Sequence, residues 1–225
     1  MKHKEMISQS TSYVTKLLRS RFGKGPQSVK IVLSERSIVF QLRNFISPVE
    51  DFLLVHNEEE TFRYTRELIM NAVLEDLRNF LQQELGLPIS DMYYDWGVHN
   101  ASGIIVGLIE VHPNEQAPHY EGKAALEGEL SNILEKIQKR PEHIDSWWVD
   151  PSILCVYRRG ITKLIELELI ELGHLDVLKT AKRRLEKRLI TEKLNTQEHI
   201  GKSQHELYLD WDFDRDDGII LYIFD

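Results

Sequence analysis

Cysteine, long apolar runs and an excess of positive charge are all missing or scarce in this 225-residue sequence. Cys155 is the only cysteine, so neither an internal disulfide nor a Cys-x-x-Cys metal site can form. No apolar run approaches the roughly 18 to 20 residues needed to cross a bilayer, and the first residues turn polar too soon for a signal peptide. We therefore expect a cytoplasmic protein without a transmembrane segment, which meets a membrane only peripherally.

The sequence also lacks the motifs of the common enzyme classes. It contains no Gly-x-Ser-x-Gly, Gly-x-Gly-x-x-Gly or His-Glu-x-x-His, and Gly23-Lys-Gly25-Pro26 is too short for a phosphate-binding loop. With 28 basic against 36 acidic residues, the chain has no general excess of positive charge to neutralise nucleic-acid phosphates. The sequence therefore predicts a non-enzymatic protein without cofactor or metal, and makes general nucleic-acid binding unfavourable.

Apolar spacing and helix-breaking residues predict the order helix, β-hairpin, helix, β-hairpin in the first half of the chain. Glycines and Pro26 end the first helix, and Ser47-Pro48-x-Glu50 is typical of a helix start, with a serine cap and a capping-box acid. The predicted elements are an amphipathic helix ending near Phe22, strands at 29–33 and 37–42, a long helix from about 61 to 85, and strands at 91–98 and 104–111.

The second half aligns with the first at a constant shift of 115 positions, without a gap. The matches fall at turns and strand ends, where special residues are needed, and we therefore predict an ancient tandem duplication. The matched residues are Pro26 with Pro141, Arg43 with Arg158, Ile46-Ser47 with Ile161-Thr162, Gly86 with Gly201, Asp95-Trp96 with Asp210-Trp211, and Gly103-Ile104-Ile105 with Gly218-Ile219-Ile220.

The duplication predicts an α+β fold of two tandem repeats, each a four-stranded antiparallel sheet covered by helices on one face. We expect the first repeat at 1–112, a linker at 113–128, where two prolines interrupt any apolar period, and a diverged second repeat at 129–225. The repeats are expected to pair as a pseudo-dimer, through nearly self-complementary surfaces.

Three features could carry chemistry but have simpler structural explanations. The acidic stretch from Asp210 to Asp217 does not place Gly and Glu where a calcium loop needs them, and alternation favours a strand entering a hairpin turn. His112, Glu115 and His119 lie in the proline-broken linker with no helix to align them on a metal. In the repeated Asp-Trp pairs, we expect Trp to fill the core and Asp to accept hydrogen bonds from backbone amides.

The second long helix has a concentration of basic side chains beside its apolar stripe. Lys182, Arg183, Lys187 and Arg188 could form a basic face that binds anionic lipid, nucleic acid or an acidic partner. A solvated face balanced by Glu186 is equally consistent with the sequence. The two interpretations stay open at this point.

Three short motifs follow one another in the first half: a Gly-x-Gly-Pro turn, a helix start of the form Ile-Ser-x-x-Glu-x-x-Leu, and an arginine on the following long helix. Together, over roughly residues 12–110, they resemble a small bacterial family named after MpsC. That protein is an accessory component of a sodium-translocating, membrane-potential-generating system linked to inorganic carbon uptake. The residues that carry the resemblance are Gly23, Gly25, Pro26, Ile46, Ser47, Glu50, Leu53 and Arg66. All of these except Ile46 and Leu53 form the candidate functional surface.

The second repeat matches these motifs less well. Lys139-Arg140-Pro141 replaces the glycine turn, and Ile165 stands in the place of Glu50 at the shift of 115. The family's functional residues are therefore expected only in the first repeat, with the second serving as its built-in partner.

The resemblance implies an accessory or regulatory protein that binds a protein partner, in a membrane ion or bicarbonate transport system. Two alternatives remain: a nucleic-acid or anionic-surface binder that uses the basic helix at 179–188, and a small-molecule or ion sensor with its site between the repeats.

Overall fold

The computed structural model describes residues 3–97, 100–110 and 117–225, which form two compact units, Met1–Val111 and His112–Asp225. His112 and Glu115, two of the three residues considered as metal ligands, lie outside the described residues. Within the described ranges, no helix is long and apolar enough to cross a membrane.

The first unit has the predicted order of elements. A helix precedes a β-hairpin, and a short and a long helix precede a second hairpin. Its elements are α1 (His3–Phe22), β1 (Ser28–Leu33), β2 (Ser37–Arg43), α2 (Pro48–Val55), α3 (Glu59–Gln83), β3 (Ile89–Gly97) and β4 (Ser102–Ile109).

The second unit repeats this order with one additional short helix. Its first helix begins at Lys123, inside the range 113–128 that the sequence analysis assigned to a linker. The elements are α4 (Lys123–Glu135), β5 (His143–Asp150), β6 (Ile153–Arg159), α5 (Leu164–Glu171), α6 (Leu175–Lys193), α7 (Thr196–Ile200), β7 (Gln204–Asp212) and β8 (Asp217–Phe224).

Each unit contains one four-stranded antiparallel sheet, and the two sheets have equivalent strand orders, β1-β2-β4-β3 and β5-β6-β8-β7. The α+β fold expected from the sequence is therefore confirmed, with two antiparallel sheets that each carry helices.

The helices of each unit pack against one face of its sheet, because alternate strand residues and the apolar stripes of the helices form a single core. In the first unit Phe40 and Ile105, paired across β2 and β4, meet Leu18 of α1 and Met70 of α3. In the second unit the corresponding core contains Leu126, Leu134, Leu154, Val156, Ile190, Leu209 and Ile220.

The two units correspond at two different shifts, not one. Strands β7 and β8 begin and end 115 positions after β3 and β4. In β6, however, Arg158 pairs with Gly218, whereas Leu42 pairs with Gly103, so β6 lies 116 positions after β2. Helix α5 begins 116 positions after α2, and the residues with positive φ, Asn44 and Gly160, are also 116 apart.

The gap-free alignment at 115 is therefore wrong between the β5–β6 hairpin and the first half of α6. The first unit has four residues between the paired Leu33 and Ile38, whereas the second has five between Trp148 and Leu154, where the register shifts. The extra residue is lost again before Gly201, in the region where α6 ends and α7 begins. Arg158 consequently occupies the place of Leu42, and not that of Arg43.

Candidate functional site

The helix start predicted at Ser47 forms a complete capping box. The Ser47 Oγ accepts a hydrogen bond from the Glu50 amide at 3.3 Å, and a Glu50 carboxylate oxygen accepts one from the Ser47 amide at 2.8 Å. Pro48 occupies the first turn, where its missing N–H leaves no donor unpaired. Glu50 is the one residue of α2 that is buried.

Glu50 is held in the interior by Arg66 of α3. The Arg66 Nε lies 2.8 Å from Glu50 Oε1, and Arg66 Nη2 donates to Glu50 Oε2 at 3.3 Å and to the carbonyl of Phe45 at 2.8 Å. Both side chains are almost fully withdrawn from water, with 3% and 5% of the side-chain surface exposed for Arg66 and Glu50. The candidate surface predicted from Ser47, Glu50 and Arg66 is thus a single contact that joins α2 to α3.

An aromatic cage surrounds the Arg66 guanidinium. Its central carbon lies 3.7 Å from the ring centre of Trp96, and 5.1 to 5.4 Å from those of Phe62, Phe45 and Phe22. Burial lowers the pKa of Arg66 to about 10, with Glu50 acting in the opposite direction. Arg66 therefore remains charged at neutral pH, and stacking on Trp96 adds to the attraction of the carboxylate. Sequence spacing could not reveal this cage, because its members come from α1, the loop before α2, α3 and β3.

The glycine turn lies next to this contact. Gly23 has a φ of 72° and follows the last residue of α1, a backbone conformation that favours glycine. The Lys24 ammonium donates to the carbonyl of Ile46 at 3.0 Å, immediately before the capping serine, and Pro26 is buried. The turn and the start of α2 are thereby joined, so the six predicted surface residues belong to one neighbourhood.

The second unit contains an equivalent contact, which corrects the expectation that Ile165 replaces Glu50. Glu166, at a shift of 116, is the buried residue of α5, and its carboxylate accepts from the Lys182 ammonium at 2.6 Å. Lys182 also donates to Gln138 at 2.6 Å and lies 5.8 Å from the ring centre of Trp211. The carboxylate, cation and tryptophan are therefore present in both units, with lysine in place of arginine.

The four residues of the predicted basic face are divided between the interior and the solvent. Lys182 is buried because it pairs with Glu166, and Arg183 lies 3.8 Å from Asp210 with 13% of its side chain exposed. Lys187 lies over the ring of Tyr208 and is half-buried, while Arg188 is exposed. The four do not form one exposed basic surface, since carboxylates and aromatic rings draw three of them toward the fold.

The second unit contains a further buried ion pair at positions that are apolar in the first unit. Arg158 donates to Glu186 at 2.6 Å, and no surface of either side chain is exposed. At the shift of 116 these residues replace Leu42 and Met70 of the first unit. Tyr222 lies in the same core, and burial raises the pKa of its hydroxyl well above the usual range. The second unit thus has a more polar interior than the first.

The acidic stretch from Asp210 to Asp217 shapes a turn. Asp212 accepts hydrogen bonds from the amides of Asp214 and Arg215, and Asp216 accepts from the amides of Ile161 and Thr162 at 2.8 and 2.7 Å. The acids therefore fix the β7–β8 turn against the loop that precedes α5. Among the residues that the structure describes, no group of three or more His, Cys, Asp or Glu side chains is placed to hold a metal.

The repeated Asp-Trp pairs show how the tryptophans contribute to both sites. Trp96 and Trp211 belong to the cores of their units, and Asp95 accepts a hydrogen bond from the Trp96 amide at 2.8 Å. Asp210 instead lies 3.7 Å from the ammonium of Lys179. The expectation of a core tryptophan is confirmed in both units, and that of a backbone-bonded aspartate in the first.

The Glu50–Arg66 site lies in a part of the chain that resembles a known protein family. Residues 2–110, almost the whole first unit, match the family described as "Na+-translocating membrane potential-generating system (MpsC)". The first unit is MpsC-like. The resemblance inferred from the glycine turn, the capping box and Arg66 is therefore confirmed, and the Glu50–Arg66 contact lies inside the MpsC unit. No curated protein and no solved structure shows significant similarity to the chain.

Proposed function

We propose that the chain is a non-enzymatic accessory protein of a sodium-translocating, membrane-potential-generating system, and that it acts by binding a protein subunit of that system. The observation that carries this proposal is the match of residues 2–110 to the MpsC family. The residues conserved between the two units also support it. Glu50 and Glu166 each hold a short helix against a long helix through a buried ion pair.

The proposal places the protein in the cytoplasm, peripheral to the membrane that contains the transport subunits. Affinity purification of the tagged chain from its native host, after solubilising membranes in mild detergent, tests it. We expect membrane-embedded transport subunits, including those for inorganic carbon, to be enriched over a tagged unrelated cytoplasmic protein. Recovery of no such subunit at physiological salt would contradict the proposal.

We further propose that the second unit arose by duplication of the first. The identical order of strands, the matching helices and the paired sites at Glu50 and Glu166 support common ancestry. Pairing of the two units as a pseudo-dimer stays a prediction, which small-angle scattering of the intact chain can test.

The alternative of a nucleic-acid or anionic-surface binder is weakened by the position of Lys182. Its ammonium is engaged by Glu166 and Gln138, so it is not presented to phosphates. Binding of RNA, DNA or anionic vesicles at low salt, abolished by charge reversal of Arg188, would restore this alternative.

A further inference from the structure

The short helices α2 and α5 have an inverted orientation. A helix on a globular protein normally turns its apolar stripe toward the core and its charged residues toward solvent. In α2 the buried residue is Glu50, whereas Val49, Phe52 and Val55 are 67%, 61% and 71% exposed. These three residues lie at helical spacing, so they form one apolar stripe that faces away from the core.

The second unit shows the same inversion with different residues. In α5 the buried residue is Glu166, and Leu164, Ile165 and Leu167 are 82%, 65% and 40% exposed. The long helix that packs against each short helix adds further exposed apolar side chains. We define the first apolar surface as Val49, Phe52, Val55, Tyr64 and Leu68, and the second apolar surface as Leu164, Ile165, Leu167, Leu172 and Val177.

These two surfaces contain all the exposed large apolar side chains found in the described parts of the chain, within 49–68 and 164–177. Scattered exposed leucines and valines are ordinary, but their confinement to two short stretches of the chain points to interaction sites. The orientation is also costly, since burying a carboxylate and a cation requires both to be desolvated. An apolar anchor would hold each helix at lower cost, so the ion pair leaves the apolar stripe available for a partner.

Acidic residues predominate around both short helices, and the nearest basic residues that reach solvent, Arg63 and Lys163, stand at the margins of the two stretches. Between Pro48 and Phe62 the sequence has five acidic residues and no lysine or arginine. Between Leu164 and Leu178 it has four acidic residues and again no lysine or arginine. The acids outside the buried contacts, which include Asp51, Glu58 and Glu60, are exposed. A complementary partner therefore combines apolar side chains with lysine or arginine, while anionic lipid is repelled.

We infer that each apolar surface binds a basic amphipathic segment of a protein partner. The inference rests on the proposed function, because cytoplasmic loops of membrane proteins are enriched in lysine and arginine close to their transmembrane helices. Such a segment would place its apolar side chains on α2 or α5 and its cations beside the flanking carboxylates. The two surfaces give the chain two binding positions, so a partner with two such segments would bind with avidity.

Binding of a fluorescein-labelled amphipathic helix of leucine and lysine to the full-length chain tests this, with fluorescence anisotropy as the measurement. We expect saturable binding that weakens at least ~10-fold when both stripes are made polar, a loss of about 1.4 kcal/mol. The variant combines Phe52→Ser and Val55→Ser with Leu164→Ser and Ile165→Ser. Circular dichroism confirms that it is folded, and F52S and L164S alone serve as milder variants, each expected to weaken binding in the same direction.

A charge variant with a matched control tests the electrostatic part. We expect Glu58→Lys with Glu60→Lys to weaken peptide binding severalfold. Glu35→Lys with Glu84→Lys changes the net charge equally at exposed sites outside the first surface and should have little effect. Equal losses for both pairs would overturn a specific surface.

Three results would overturn the inference: unchanged binding to the serine variant, equal binding of a leucine and glutamate helix, or preferential binding to vesicles of anionic phospholipid. The proposed function is tested separately. If the wild-type chain and the serine variant recover transport subunits equally from the native host, the function stands and the surface is wrong. If neither recovers them but the peptide results hold, the surface stands and the transport link fails.

Discussion

Glu50 and Arg66 show at the residue scale that a buried charge needs an oppositely charged partner. Each would be costly to bury alone. Together they make two contacts with each other, and Arg66 also donates to the Phe45 carbonyl and stacks on the Trp96 ring. Such a pair is sensitive to the loss of one member, because the remaining charge stays in the interior without compensation.

Arg66→Ala is therefore expected to destabilise the protein by about 3–5 kcal/mol, since Glu50 is left buried and unpaired. Urea denaturation followed by circular dichroism measures the change in the free energy of unfolding. Replacing both residues, with Glu50→Leu and Arg66→Met, should be less harmful than Arg66→Ala alone. A double variant that is as unstable as the single one would show that the cation has a role beyond pairing with Glu50.

Asp216 gives a pH-dependent prediction. Burial raises the pKa of Asp216, but hydrogen bonds from Thr162 and Ile161 outweigh this effect and lower it overall. A carboxyl whose folded-state pKa is lowered stabilises the fold above its unfolded-state pKa, and this contribution is lost as pH falls through the folded-state pKa. Asp216→Asn should lower the melting temperature at neutral pH, with a difference that disappears in acid.

The exposed Asp214 in the same turn supplies the control for that experiment. Thermal unfolding of Asp214→Asn should resemble that of the unmodified chain across the same pH series. A difference between Asp216→Asn and the unmodified chain that persists at low pH would show that shape, not charge, explains the effect.

At the scale of elements, α2 and α5 differ in how their first turns are capped. Ser47 supplies an acceptor to the Glu50 amide, whereas Lys163 at the equivalent position has no oxygen to do so. Only the other half of the capping box forms in α5, where Glu166 accepts from the Lys163 amide at 2.9 Å.

This difference predicts opposite effects of two substitutions. Ser47→Ala should destabilise the protein by about 1 kcal/mol, because an amide of the first turn loses its acceptor. Lys163→Ser at its exposed position should stabilise it by less, since the Glu166 amide already donates to the Lys163 carbonyl at 2.9 Å and the serine adds only a second acceptor. Chemical denaturation of both variants provides the measurement, and a stabilising Ser47→Ala would refute this account of the helix start.

Local signals made the helix start at Pro48 and the turn at Gly23 predictable, because caps and turns depend on residues close in sequence. The contact between Glu50 and Arg66 was not predictable in the same way, because it joins two helices and requires their packing. Family resemblance had named both residues as candidates, but the sequence did not show that either was buried or that they were in contact. Glu166 was missed because a shift of one position hides an equivalent residue from a gap-free alignment.

The outward apolar stripe of α2 was also missed, for a different reason. The spacing of Val49, Phe52 and Val55 predicts an amphipathic helix but not which way its apolar side faces. The orientation of α2 depends on Arg66, because its pairing with Glu50 draws that side of the helix inward and leaves the apolar side facing solvent.

For the whole molecule, the formal net charge of −8 adds a long-range attraction for basic partners to the short-range contacts. We predict that the association rate with the leucine and lysine helix falls as sodium chloride is raised, because salt shortens the range of the field to about 10 Å at 0.1 M. Stopped-flow fluorescence measures this rate. An amphipathic helix with uncharged polar residues is the control, and equal salt dependence for both would contradict electrostatic attraction.

The extra residue in the β5–β6 hairpin and its loss before Gly201 constrain how the two units can be recombined. A fragment carrying α2 can replace α5 only if both crossover points lie where the chains run 116 positions apart, such as after Phe45 and Ile161 and again after Arg66 and Lys182. Crossovers chosen at 115 would advance the graft by one residue and rotate each side chain by about 100° around the helix axis. We therefore expect chimeras with crossovers at a shift of 116 to keep the buried carboxylate–cation contact. Chimeras with crossovers at a shift of 115 should lose this contact and be less stable.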